Sequence, residues 1–227
     1  TFEQYRLNNI DATYNILEAA RKIDGLKLFI NIATSSVYGY DATMPETEIP
    51  KPASYYGSTK LAAEQLALMY NTTYNLPVTS FRLYSVIGPR ERPDKLWKKI
   101  IDVTLNKKVP VKIFDGSKDH LRSFTNVYDI CNAFEQAIKN KDKAIGEVFN
   151  IGSNQTITVG EGLDILQNVI GVELSIIDVN DKRVGDQDRT SAVINKAEEK
   201  LNWKPETDFK TSMQQAVEWF KNSIYSK

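Results

Sequence analysis

An apolar segment at residues 28–33 constrains the fold more than any other feature of this chain. Its length and composition indicate a β-strand buried on both faces, as in parallel sheets covered by helices. Helical patterns lie on either side, at residues 5–22 and 55–74, and a second strand pattern follows at residues 77–83. Because strands joined by helices pair in parallel through right-handed connections, this order predicts an α/β fold with neighbouring parallel strands.

Hydroxyl side chains follow the first predicted strand. Thr34, Ser35 and Ser36 come directly after it, at the carboxyl end where open α/β sheets bind their ligands. In the next predicted helix, Tyr56 and Lys60 are four residues apart and therefore share one face. A nearby ammonium favours the ionised form of a phenol, whose free pKa is about 10. Such a tyrosine could exchange a proton with a substrate hydroxyl that Thr34 also binds.

The spacing of Tyr56 and Lys60 is weak evidence by itself. Most such pairs are a packed aromatic ring beside a solvated charge. Two further features favour a functional site, namely the hydroxyl-rich strand end and Asn9 on the preceding predicted helix.

The composition of the 227-residue chain narrows its class. Lysine plus arginine equal aspartate plus glutamate at 29 each, which gives no electrostatic argument for binding nucleic acid or an anionic membrane. A single cysteine excludes an internal disulfide and fits a reducing compartment, and no apolar run approaches the roughly 20 residues of a membrane-spanning helix. We therefore expect a cytoplasmic protein. The lone histidine, His120, is expected at the surface, and no metal site is predicted.

The second half of the chain has shorter and less regular elements. The predicted helices are residues 96–105, 127–139, 159–170, 195–201 and 211–225, and the predicted strands are residues 109–114, 147–151 and 174–179. We expect these elements to form a smaller lobe that is interleaved with the first domain.

Several sequence motifs occur in the same order as in one protein family. They are residues 9–21, Thr34 four residues before Tyr38, Tyr56-x-x-x-Lys60, residues 82–94, residues 122–129, and Arg183-x-Gly-Asp186. With these motifs the chain resembles the extended short-chain dehydrogenase/reductases, specifically the nucleotide-sugar epimerase/dehydratase family. The resemblance extends from about residue 5 to residue 220.

The resemblance implies an NAD(P)-binding, Rossmann-like parallel sheet with a smaller C-terminal α/β substrate lobe. Residues 1–88 would be the C-terminal part of the Rossmann-like domain and carry the catalytic residues. Residues 89–227 would mainly form the sugar-nucleotide-binding lobe, interleaved with that domain. The sequence contains no Gly-x-x-Gly-x-x-Gly loop, which the family uses for the cofactor. We therefore expect the natural protein to be longer, with the first strands of its sheet outside this sequence.

The resemblance also assigns roles to individual residues and implies a homodimer. The catalytic residues would be Thr34, Tyr56 and Lys60, and the residues binding NAD would be Asn9, Tyr56, Lys60 and Leu83. The residues binding the nucleotide sugar would be Ser35, Ser36, Ser85, Leu96, Lys112, Phe114, Arg122, Arg183 and Asp186. Arg122 is expected to hold the diphosphate, because a planar guanidinium bonds phosphate oxygens in a bidentate manner. The dimer would form through the helices that hold Asn9 and Tyr56.

Ser35 and Ser36 narrow the reaction within the family. Members that dehydrate the sugar have Asp-Glu at these positions, because removal of water needs an additional acid and base. Neither serine can act as a carboxylate. The sequence therefore predicts a UDP-sugar 4-epimerase that acts through a transient 4-keto sugar. The alternatives are another sugar-nucleotide reductase, dehydrogenase or dehydratase, or a truncated, non-catalytic fragment for sugar-nucleotide binding or dimerisation.

Overall fold

Helices and strands alternate along most of the chain. The computed structural model describes residues 1–181 and 187–225. Its helices are α1 (Phe2–Tyr5), α2 (Ala12–Ala20), α3 (Tyr55–Tyr74), α4 (Leu96–Leu105), α5 (Val127–Lys139), α6 (Lys141–Ala144), α7 (Val159–Ile170), α8 (Asn195–Leu201) and α9 (Phe209–Tyr225). Its strands are β1 (Phe29–Thr34), β2 (Asp41–Ala42), β3 (Val78–Leu83), β4 (Ser85–Ile87), β5 (Val111–Phe114), β6 (Leu121–Arg122), β7 (Phe124–Asn126), β8 (Val148–Ile151), β9 (Ile157–Thr158), β10 (Ile176–Val179) and β11 (Arg189–Thr190). A π-helical turn, Arg6–Asp11, joins α1 to α2, and the 3₁₀ turns are Ser35–Tyr38 and Ser117–Asp119.

The central sheet has the strand order β1-β3-β8, and both strand pairs are parallel. In its register Thr34 lies beside Leu83, and Leu83 lies beside Ile151, so the carboxyl ends of the strands meet at one edge. β8 comes late in the chain, yet it pairs with β3. The predicted α/β fold with parallel strands is confirmed, whereas the division into residues 1–88 and 89–227 stays a prediction.

Smaller sheets connect segments that are distant in sequence. β5 pairs in parallel with β10, and β4 with β7. We call β2-β11-β6-β9 the mixed sheet, because β11 runs parallel to β2 and β6 while β6 and β9 are antiparallel. The sequence did not predict β2, β4, β6, β7, β9 or β11, since two or three residues are too few to show a period.

Helices α3, α4, α5, α7 and α8 begin and end where the sequence patterns predict. Polar caps account for part of this agreement. The Ser54 hydroxyl accepts the N–H of Gly57 at 3.1 Å, Thr158 accepts that of Glu161 at 3.1 Å, and Asn126 caps α5 in a similar way. Each cap contributes about 1 kcal/mol. The helix predicted at residues 5–22 is divided into α1, the π-helical turn and α2. The remaining predicted elements differ by one or two residues at their ends. None of the described helices is long and apolar enough to cross a membrane.

Apolar side chains of the described residues form three buried clusters: one on the central sheet, one in the second half of the chain, and one between α2, α3 and β3. The first includes Phe81, Phe149 and Trp203, and the second includes Trp97 and Met213. All of these side chains are almost or completely buried. Because Trp203 packs into the first cluster, the last part of the chain contributes to the core of the central sheet.

A buried ion pair joins α3 to the central sheet. Two nitrogens of the Arg82 guanidinium donate to the two carboxylate oxygens of Glu64, at 2.7 and 3.0 Å, and the side chains are 4% and 0% exposed. Arg82 also donates to the Tyr38 hydroxyl at 2.8 Å, and this hydroxyl donates to Asn150 at 2.9 Å. Burial alone would lower the pKa of Arg82, but the hydrogen bonds and charge of Glu64 outweigh it and raise the pKa. The network therefore holds together α3, the end of β1, β3 and β8.

We expect Arg82→Met to destabilise the protein strongly, because it leaves the Glu64 carboxylate buried without its partner. The free energy of unfolding should fall by about 3–5 kcal/mol. The double variant Glu64→Leu/Arg82→Met removes both charges and should therefore be more stable than Arg82→Met alone. Urea unfolding followed by tryptophan fluorescence measures these differences.

Arg92→Met is the matched control for this experiment. Arg92 pairs with Asp94 at 3.2 Å, but the two side chains are 70% and 67% exposed, so the loss of this pair should change stability little. A similarly small change in Arg82→Met would contradict the predicted cost of an unpaired buried charge.

The hydroxyl of Tyr84 is buried without a hydrogen-bond partner among the described residues. The side chain is 3% exposed, and burial raises its pKa. A buried polar group without a partner keeps its desolvation cost.

We therefore expect Tyr84→Phe to raise the free energy of unfolding by about 1 kcal/mol. Tyr38→Phe is the matched control and should lower it, because the Tyr38 hydroxyl makes two buried hydrogen bonds. Urea unfolding of both variants tests the pair. Destabilisation of Tyr84→Phe to the same extent as Tyr38→Phe would show that the Tyr84 hydroxyl is paired in solution.

Candidate active site

Thr34 ends β1 and begins the turn that follows it. Its hydroxyl oxygen accepts the N–H of Ser36 at 3.2 Å, and its hydroxyl lies 3.3 Å from the Ser36 hydroxyl. Thr34 and Ser35 are buried, whereas Ser36 is half-buried. This local capping holds three hydroxyl side chains at the carboxyl edge of the central sheet.

The first turn of α3 lies against this hydroxyl-rich turn. A Cβ atom on Gly57 would lie 2.5 Å from the carbonyl oxygen of Ser36, so only glycine allows this approach. Tyr56, the preceding residue, is 39% exposed, and its ring lies 6.0 Å from that of Tyr5 between centroids. The Tyr56 side chain is therefore accessible beside the end of β1.

Lys60 is attached to the strand that carries Thr34. Its ammonium group donates a hydrogen bond to the backbone carbonyl of Ile32 in β1. Burial lowers the pKa of Lys60, and the negative charge of Glu64 partly offsets this effect. Because Glu64 is one helical turn further along α3, the buried ion pair and Lys60 lie on the same side of the helix.

Asn9 lies in the π-helical turn, and its side chain reaches α3. Its amide donates to the Thr59 hydroxyl at 2.9 Å, and Thr59 donates to the carbonyl of Tyr55 at 2.8 Å. π-helical turns occur frequently at functional sites. The sequence did not predict this turn, since one additional residue per turn leaves no clear change in an apolar pattern.

The remaining predicted residues fall into several groups. Leu83 ends β3 beside Thr34 and is half-buried. Ser85 is exposed in β4, where it pairs with Phe124. Leu96 begins α4 at the border of the second apolar cluster, and Lys112 and Phe114 alternate with buried residues in β5.

Arg183 and Asp186 lie outside the described residues. The structure thus places Thr34, Ser35, Ser36 and Leu83 at one sheet edge and bonds Lys60 to β1, while Asn9 contacts Thr59 on α3 and Tyr56 lies next to Tyr5.

Arg122 is half-buried in β6 and contacts His120. One guanidinium nitrogen lies 3.0 Å from Nδ1 of the imidazole, whose Nε2 lies 3.7 Å from a carboxylate oxygen of Asp188. His120 is half-buried, with a side chain that is 20% exposed, so it stays partly accessible at the surface. Arg122 also borders a small cavity with Phe124 and Ser153.

Gln187 is a site residue that sequence reasoning missed. Its side-chain amide donates to the carbonyl of Gly39 at 2.8 Å and lies 3.5 Å from that of Ser35. Two residues after Gln187, Arg189 of β11 pairs with Asp41 of β2, so the two segments stay adjacent. No local sequence signal could have identified Gln187, since its partners are about 150 positions away in the printed sequence.

This chain is similar to a family model and to several known proteins. The family model described as GDP-mannose 4,6 dehydratase matches residues 3–216. A Bacillus subtilis protein named as an uncharacterized UDP-glucose epimerase is 32% identical over 99% of this chain and 69% of its own length. UDP-glucuronate 4-epimerase 4 of Arabidopsis thaliana is 31% identical over 98% of this chain and 54% of its own. The Bacillus cereus UDP-glucuronic acid 4-epimerase, solved with UDP-glucuronic acid and NAD, has a TM-score of 0.87 and 32% identity over 95% of this chain and 68% of that one.

The parallel sheet, with threonine, tyrosine and lysine at its carboxyl edge, defines an extended short-chain dehydrogenase/reductase. More narrowly, the chain belongs to the GDP-mannose 4,6-dehydratase family of nucleotide-sugar epimerases and dehydratases, whose model covers nearly all of it. The chain spans about half the length of its plant relatives and just over two thirds of the Bacillus proteins.

Proposed function

We propose that the protein is an NAD-dependent UDP-sugar 4-epimerase. The observation that carries the proposal is the composition of the sheet edge. Lys60 bonds to β1, the strand that ends at Thr34, and Tyr56 lies one helical turn before Lys60 on α3. Ser35 and Ser36 bring hydroxyl groups instead of carboxylates. The relatives named as UDP-glucose and UDP-glucuronate 4-epimerases support the same reaction.

In the proposed reaction Tyr56 accepts the proton of the sugar 4-hydroxyl and later returns it. Thr34 orients this hydroxyl through its own hydroxyl group, which the turn after β1 holds in place. Lys60 supplies a positive charge on the same helix face as Tyr56. Its half-buried position strengthens that charge's effect, since a less polar environment screens charges less than water does.

The side chains around the sheet edge fit a dinucleotide cofactor. Lys60 has three N–H donors, which suit ribose hydroxyls, and its carbonyl partner in β1 holds it at the strand end. Leu83 offers an apolar surface beside Thr34 for an aromatic ring. Asn9, whose amide donates to the Thr59 hydroxyl, adds a polar side chain for the cofactor. When bound, NAD supplies the removal and return of a hydride at C4 of the sugar.

Ser35 and Ser36 favour epimerisation over dehydration. Elimination of water from the sugar needs an acid and a base besides the tyrosine, whereas epimerisation needs only that the keto sugar turn before the hydride returns. Serine hydroxyls can donate and accept hydrogen bonds to the sugar but do not ionise as carboxylates do. Arg122 and Arg183 would hold the diphosphate while the sugar turns, and Asp186 of the Arg-x-Gly-Asp motif would reach the ribose. Ser85, Leu96, Lys112 and Phe114 complete the proposed substrate contacts.

A homodimer in the cytoplasm is also part of the proposal. Large apolar side chains on the packed helices α2 and α3 are exposed, among them Tyr14, Ile16, Met69 and Tyr74. A second copy of the chain could cover these side chains and so bury apolar surface. The single cysteine supports a reducing compartment. We keep the division into a Rossmann-like part at residues 1–88 and a substrate lobe at residues 89–227 as a proposal.

We expect Tyr56→Phe in the complete protein to lower kcat by about 10²- to 10⁴-fold, because the variant loses the group that exchanges a proton with the substrate. KM should change little, since the ring remains in place. The assay measures interconversion of UDP-glucose, UDP-N-acetylglucosamine and UDP-glucuronate with their C4 epimers, with NAD content determined in parallel.

Tyr55→Phe is the matched control, because Tyr55 precedes Tyr56 on α3 and is 64% exposed. It should leave kcat near the wild-type value. Near-normal turnover by Tyr56→Phe would exclude the proposed role of this tyrosine, and lack of epimerisation of every substrate by the wild type would exclude the proposed reaction.

We expect Ile16→Glu to convert the dimer to monomers, because it places a charge on the apolar surface of α2. Ile138→Glu is the control, since Ile138 is similarly exposed, at 60% against 57%, but lies on α5. Sedimentation velocity measures the change. A wild-type monomer, or an Ile16→Glu variant that still dimerises, would contradict the proposed interface.

A further inference from the structure

We propose that His120 is a positioning residue that fixes the guanidinium of Arg122 for the diphosphate of the substrate. This inference rests on the proposed function, in which Arg122 binds the diphosphate. His120 itself does not contact the substrate in this proposal. It acts through the hydrogen bond between its Nδ1 atom and Arg122.

The chemistry of the two side chains defines the direction of this hydrogen bond. A guanidinium has N–H donors and no acceptor, so Nδ1 of His120 must accept. At 3.0 Å the contact has the length of an ordinary hydrogen bond. A neutral imidazole that accepts at Nδ1 carries its hydrogen on Nε2, which faces the Asp188 carboxylate at 3.7 Å. Arg122 and Asp188 therefore favour the same tautomer of the ring.

The backbone around His120 is fixed on both sides. Its N–H donates to the carbonyl of Ser117 at 3.3 Å, and its carbonyl accepts the N–H of Val159 at 3.1 Å. Arg122 follows two residues later and pairs with Ile157 of β9. Residues two apart on an extended chain lie on one face. The two side chains are therefore neighbours because of the strand geometry, which the backbone hydrogen bonds of His120 and the pairing of β6 maintain.

Restriction of the Arg122 guanidinium has a direct use in phosphate binding. Bidentate bonding to phosphate oxygens requires a defined orientation of the guanidinium plane. A long arginine side chain that is held before the ligand arrives loses less conformational entropy on binding. The small cavity beside Arg122 is lined by Phe124, Ser153, Gln155 and Phe209, among other residues, and confines the side chain further. The ligand class that this arrangement suits is a nucleoside diphosphate or its sugar ester.

Substitution of His120 by Leu and by Asn tests the proposal in the complete, cofactor-containing protein. His120→Leu removes the acceptor, and we expect UDP to bind about tenfold more weakly by calorimetry. His120→Asn places an amide oxygen near the position of Nδ1, and its affinity for UDP should stay within about threefold of the wild type. KM for the UDP-sugar should rise in His120→Leu, while kcat at saturation should change little.

Uridine serves as the ligand control, because it lacks both phosphates. We expect wild type and His120→Leu to bind uridine equally, which would show that the nucleoside site is intact. Equal affinity of wild type and His120→Leu for UDP would overturn the positioning role, as would an equal loss in the Asn and Leu variants. If the wild type does not bind UDP at all, the proposed substrate class fails and this inference fails with it.

The tautomer of His120 can also be measured directly. The ring-nitrogen signals of His120 in the ¹⁵N spectrum of the complete protein at neutral pH are those that disappear in His120→Asn. We expect an Nε2–H tautomer whose Nδ1 signal shifts on addition of UDP. An Nδ1–H tautomer would overturn the proposal even if His120→Leu fails to fold.

Discussion

The buried pair of Glu64 and Arg82 is the interaction on which the rest of the structure depends. It joins α3 to the middle strand of the central sheet through two hydrogen bonds between opposite charges. Lys60 lies one helical turn before Glu64, so the same pair sets the distance between the helix and the end of β1. Tyr38, in the turn after Thr34, bonds to the same guanidinium. Because separation of the pair would leave an unpaired charge in the core, α3 has one stable position on the sheet.

The mixed sheet complements this ion pair by linking the hydroxyl-rich turn after β1 to the strand that carries Arg122. β2 follows the hydroxyl-rich turn, and β6 carries Arg122. β11 lies between them. Gln187, two residues before the start of β11, donates a hydrogen bond to the carbonyl of Gly39. Strands of two residues contribute little stability individually. Their value is geometric, since they keep the proposed sugar position and the proposed diphosphate position in a constant relation.

Much of the fold was predictable because its longer elements are determined by local chemistry. The apolar period and the caps Ser54, Asn126 and Thr158 set the limits of α3, α5 and α7. The hydroxyl groups after β1 and the Tyr56-x-x-x-Lys60 spacing were visible as patterns, and the family resemblance gave them roles. Those roles stay predictions, although the structure does attach Lys60 to the strand that ends at Thr34, with Leu83 beside it.

The sequence by itself therefore determined the α/β class, the order of the long helices and strands, and the residue types available for chemistry. These depend on interactions between residues a few positions apart, which a period or a cap reveals. Only the tertiary structure decided the short strands of the mixed sheet, the hydrogen bond of Asn9 to Thr59, and the contact of Gln187 with Gly39. These features arise from contacts between distant segments, for which a local pattern carries no information.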